Sequence, residues 1–147
     1  MKVNATIKPK ATEFKNASRL IRFDVSEEVV AAEVGSGQED AVSYNYSEVK
    51  VSKTATYAEI VSAIIAEKYS LDKEIALINN QNQDTVSDED IAEYTAYQDF
   101  RSLAKTIAKA VNSLELLDWN EIRDYAGTLD LSASGTREEI ETAIRSL

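Results

Sequence analysis

The feature that most constrains the fold is a change of hydrophobic period between Ser52 and Thr56. Upstream, "RLIRFDVS" (19–26) sets Leu20, Arg22 and Asp24 against Ile21, Phe23 and Val25, the alternation of a half-buried strand. "AVSYNYSEVKVS" (41–52) alternates likewise, with Val42, Tyr44 and Tyr46 opposite Ser43, Asn45 and Ser47. Val49 and Val51 then continue on the face of Ser43 and Asn45, a phase change of the kind a β-bulge produces. Downstream of Thr56, apolar residues recur every three or four positions, which is the period of a helix. A chain that switches once from period 2 to period 3.6 is expected to be α+β.

The strand region is expected to form a small antiparallel sheet over residues 2–53. "KVNATIK" supplies an opening strand, with Pro9 at its end or on an edge. Ser26, Glu27 and Glu28 read as a hairpin loop before "VVAAEV", and "GSGQED" as a turn in which Gly35 and Gly37 take positive φ.

Helices are expected over residues 56–113. Thr56 and Glu59 form a capping box, followed by a stripe of Ile60, Val61, Ile64 and Ile65. Ser70 starts a second helix with Leu71, Ile75 and Ile78 on one side. Ser87 and Asp90 open the longest, roughly 88–113, whose stripe is Tyr94, Tyr97, Phe100, Ala104, Ile107, Val111 and Leu114. Three heptads are the least that would support a coiled coil, and the stripe is expected to pack on the sheet or the preceding helices. These segments make a body over residues 1–114.

Residues 115–147 carry their own start signals and form a small unit. Asp118 and Glu121 cap one helix, Thr136 and Glu139 another, joined by an extended connector containing Gly135. Trp119, Ile122, Ala126 and Leu129 are expected to face Leu131, Ile140, Ile144 and Leu147 as a mini-core.

Chemistry is bounded by what the chain lacks. With no cysteine and no histidine, disulfides, Cys/His metal sites and a His general base are all excluded. Asn80, Asn82 and Asp84 have the spacing that opens an EF-hand loop, but Thr85 and Ile91 stand where its Gly and bidentate Glu belong. Ser70–Lys73 and Ser102–Lys105 match the serine–lysine spacing of penicillin-recognising enzymes without their further motifs. No Gly-rich phosphate loop occurs among four glycines. The expectation is a protein that is not an enzyme and holds no cofactor or metal.

Sixteen basic residues against 26 acidic ones give a formal charge of −10, the wrong sign for a polyphosphate partner. The opening residues lack a signal-like apolar run, and no stretch is long and apolar enough for a membrane helix. The protein is expected to be made in a cytoplasm. Among seven tyrosines, Tyr44 with Tyr46 and Tyr94 with Tyr97 share faces. They suit either a core rim with wet hydroxyls or an interaction surface.

Two resemblances follow. "EIRDYAGTLDLSASGTREEIETAI", within Leu117–Leu147, resembles helix–extended–helix units of the SAP and LEM/HeH type, some of which bind DNA through basic side chains. Arg137 falls in the basic slot after the glycine, but residues 115–147 hold three arginines against eight acids, so a DNA role is not carried over. A DNA-associated accessory factor is the alternative expectation. The order of "RLIRFDVS", "SYNYSEVKVSKTATYAEIVSAIIAEKYS" and "YQDFRSLAKTIAKAV", over residues 1–112, resembles uncharacterised proteins of phages and prophages of gut Bacteroides-type bacteria. That resemblance implies a structural or accessory virion protein, contacting other virion proteins and copies of itself. Tyr44, Tyr46, Tyr94, Tyr97, Trp119 and Arg137 are the contact candidates.

Overall fold

The computed structural model describes residues 1–147 and is α+β, with a four-stranded antiparallel sheet followed by five helices. The strands are β1 (Lys2–Ala5), β2 (Thr12–Lys15), β3 (Ser18–Val30) and β4 (Ala41–Ser52), in the order β1-β4-β3-β2. The helices are α1 (Tyr57–Lys68), α2 (Leu71–Gln81), α3 (Asp88–Asn112), α4 (Trp119–Thr128) and α5 (Arg137–Arg145). A short 3₁₀ turn, Leu114–Leu116, joins α3 to α4.

β3 and β4 form one long hairpin, and residues 26–28 continue β3 where a loop was expected. The reversal lies in residues 31–40, where Gly35 and Gly37 do take positive φ. Three consecutive polar residues mimic a loop in sequence, but on an uncovered ribbon they cost nothing to expose. β2, four residues long, is an element the alternation did not reveal; a two-residue turn at Asn16–Ala17 folds it back on β3.

The register shift lies in β3. Phe23 pairs with Ser47 and Ser26 with Asn45, so Asp24 and Val25 together oppose Tyr46. Asp24 adopts φ 55°, a left-handed conformation that Asp tolerates better than most residues. The phase change read in β4 therefore has another cause: the sheet is covered on both faces. Ile21, Phe23 and Val49 are buried on the side of Arg19, whose guanidinium reaches Val111 O at the end of α3. Past the bulge, Val25 joins Tyr46 on the opposite face. The β1–β2 connection crosses that face, because Arg22 lies over the Tyr46 ring at 5.8 Å and donates to Lys10 O at 3.3 Å.

The helices begin where their caps predict. Thr56, Ser70, Ser87, Asp118 and Thr136 each accept from the backbone N–H three residues on, and Glu59, Glu121 and Glu139 complete capping boxes. α3 packs its stripe inward: Tyr97, Ala104, Ile107 and Val111 are buried, and Tyr94, Phe100 and Leu114 are partly so. α2 is the exception. Leu77 is its buried residue, while the expected apolar side points outward, with Leu71 71% exposed and Ile75 and Ile78 about half exposed.

The C-terminal segment docks on the body, and one apolar cluster runs from Ile21 and Phe23 through Ile107 to Ile122, Tyr125, Leu129, Ile140 and Ile144. Trp119 stays out of the mini-core, 43% exposed beneath the Arg123 guanidinium at 5.8 Å. As the first residue of α4 it precedes the buried positions Ile122, Tyr125 and Ala126. Gly135 suits the joint because its φ is 111°, a conformation that residues with a Cβ rarely adopt.

Candidate interaction surfaces

The largest cleft, about 930 Å³, lies between α3 and α4 and is the natural place to look for a reaction. Its lining includes Asp99, Lys105, Lys109, Glu121 and Asp124. Lys109 Nζ sits 2.5 Å from Glu121 Oε1. That contact holds the Glu121 carboxyl below its ordinary range and the Lys109 ammonium above its own, so both stay charged. A general acid or base needs the opposite, a proton poised near the working pH. The pair is a latch between α3 and the N-terminus of α4.

The two serine–lysine strings separate in the same way. Ser70 is the N-cap of α2, and Lys73 pairs with Glu93 at 2.9 Å. Ser102 and Lys105 line the open cleft. In the loop with EF-hand spacing, the Asn80 amide donates to Asp90 Oδ1 at 2.9 Å. No group of three or more Asp or Glu side chains is placed to hold a metal ion.

The contact candidates fall in different environments. Tyr97 is 1% exposed, edge-on to Tyr69 at a centroid distance of 5.1 Å, and its hydroxyl donates to Glu74 Oε2. Burial and that carboxylate push the phenol up to about 12. Tyr46 is buried under Arg22, while Tyr94 and Tyr44 are half-buried. Tyr44 is raised by burial and by neighbouring Glu27. Tyr46 and Tyr97 belong to the core and Tyr44 and Tyr94 to its rim, with Tyr44 opening onto the outer part of the hairpin.

Arg137 is engaged within the chain. Its guanidinium donates to Leu117 O at 2.8 Å and Leu114 O at 3.1 Å, and its Nε to Glu141 Oε1 at 2.7 Å. It closes the carbonyls that follow α3 and straps α5 to the 3₁₀ turn. The Arg137 side chain thus has its donors committed inward. Arg145 pairs with Glu141 as well, and Arg123 Nε donates to Ala133 O.

Beside the exposed candidate Trp119, apolar surface is open in two places that the sequence did not single out as contacts. One is the outer part of the β3–β4 hairpin, an arm carrying Val29, Val30, Val34 and Val42. The other is the outward side of α2, where Leu71, Ile75 and Ile78 are exposed, as is Ile91 of α3. Cross-strand pairing of Val29 with Val42 marks the arm in retrospect, because acids surround it in the sequence.

Comparison with protein-family models, with curated proteins and with solved structures yields no match. No helix is long and apolar enough to cross a membrane.

Proposed function

We propose that the protein is a non-enzymatic structural or accessory component of a phage particle. It acts through protein–protein contacts in a head or tail assembly, with other virion proteins and with copies of itself. The observation that carries this reading is the apolar surface left open on the arm and on α2. Contiguous exposed apolar patches mark sites of protein contact. The phage setting is supported by the sequence pattern over residues 1–112.

The test is mass spectrometry of purified virions from the source, with synthesis in the host cytoplasm and recovery in the particle as the expected result. A chain that is strictly monomeric and missing from particles would overturn the reading.

A further inference from the structure

The sheet carries opposite charge at its two ends. At the arm, residues 26–45 include Glu27, Glu28, Glu33, Glu39 and Asp40 and no Lys or Arg. At the other end, residues 14–20 and 49–53 include Lys15, Arg19, Lys50 and Lys53 and no acid. No member of either set is in an ion pair: every ion pair in the structure involves other cations and other carboxylates. The rest of the sheet is different, since Arg22 there is paired with both Glu13 and Glu48.

Each end also presents apolar surface. Val29, Val30, Val34 and Val42 stand among the acids of the arm. At the basic end Phe14 is 56% exposed, with the Arg19 guanidinium 5.1 Å and Lys53 Nζ 5.7 Å from its ring centroid. Arg19 itself is buried, its guanidinium donating to Thr12 Oγ1, Asn112 Oδ1 and Val111 O, so the exposed cations of this end are Lys15, Lys50 and Lys53. An apolar centre with a charged rim is the usual anatomy of a contact patch, and here the two rims have opposite sign.

The two ends cannot meet within one molecule. Arg19 and Val30 lie near opposite ends of β3, so a strand of that length holds the patches on the order of 40 Å apart. A two-stranded ribbon standing alone is only marginally stable in water, which also favours cover for the arm.

We propose that the acidic arm of one molecule docks on the basic Phe14 end of the next, giving a head-to-tail contact between copies of this chain. Such a contact is heterologous: it repeats, and it closes into a ring or continues as a filament according to the rotation it imposes. The proposal rests on the contact-making reading of function and names the partner for one of its surfaces.

Charge exchange tests it with the full-length chain in sedimentation velocity over a concentration series. The wild type is expected to form reversible oligomers beyond the dimer. K15E/K53E and E28K/E33K are each expected to weaken association by at least tenfold, and the four changes together to restore most of it. All four residues are exposed, and circular dichroism checks that each variant keeps its fold. The E28K/E33K result is the more telling, because it lowers the net charge and would strengthen any association limited only by mutual repulsion.

A wild type that stays monomeric, swaps without effect, or a quadruple variant that does not recover would each overturn the proposal. So would a dimer that survives both swaps and disappears with Leu71→Ser, since α2 would then be the contact. A chain that is monomeric in solution yet abundant in virions would overturn the head-to-tail contact and leave the virion reading standing.

Discussion

The inner and outer halves of the β3–β4 hairpin share two strands and one ladder, yet their side chains meet opposite fates. In the inner half Ile21, Phe23, Val25, Tyr46 and Val49 are buried. In the outer half Val29, Val30 and Val42 are exposed, although valine suits a strand as well there as further in. The difference lies in the neighbours. β2 pairs with β3 only over Ser18–Ile21, and β1 pairs with β4 only as far as Tyr44. The bulge at Asp24–Val25 falls between the halves, and the Asp24 N–H donates there to Thr128 Oγ1 of α4 at 2.8 Å. Beyond Glu27 and Tyr44 the ribbon runs on without a third strand. A strand pattern specifies a strand; a third layer or a partner specifies burial.

The largest effect that would break this contrast is in the core. Phe23→Ala is expected to cost about 3–5 kcal/mol, whereas Val29→Ala should stay within about 0.5 kcal/mol in the monomer, both read from urea denaturation. Equal losses would mean that the arm is packed.

A smaller effect separates tyrosines by pH. The folded state holds the Tyr97 proton more tightly than the unfolded chain, because burial and Glu74 raise its phenol from 10.0 to about 12. Its contribution is whole below pH 10, and stability drains away as pH climbs from there towards 12. Burial pushes Tyr125 up in the same direction. Tyr97→Phe should therefore reduce, without abolishing, the loss of stability between pH 10 and 12, measured by denaturant midpoints across that range. An unchanged slope would place Tyr97 with the exposed tyrosines.

The smallest effect on folding should come from the largest deletion. Replacing residues 29–42 by Asn-Gly leaves Glu28 opposite Ser43, the spacing that a two-residue type I′ turn closes. Thermal unfolding of the dilute monomer should shift by only about 1–2 °C, the size of a change of about 0.5 kcal/mol. A collapse in melting temperature would make the arm part of the fold.

Local signals were legible in the sequence, and contacts over distance were not. Five helix starts were readable because an N-cap and its partner lie three residues apart, at Thr56, Ser70, Ser87, Asp118 and Thr136. Gly135 was readable for a similar reason. β2 was not, since four residues carry too little alternation to register and its stability comes from pairing with β3. Residue type singles out six contact candidates in the sequence. Tyr46 and Tyr97 prove buried and Arg137 is bound to backbone carbonyls, so residue type did not mark the open surfaces.

What the sequence determined by itself is the kind, order and ends of most elements, because period and capping act between residues a turn or a pleat apart. Only the tertiary structure decided which apolar faces are covered. Leu77 is buried while Leu71, Ile75 and Ile78 on the same helix are open, because α3 lies against one side of α2. It also decided the separation of charge. Acids and bases that lie within a few dozen residues in the chain stand at opposite ends of the sheet because β3 runs unbroken, past its bulge, from Arg19 to Val30.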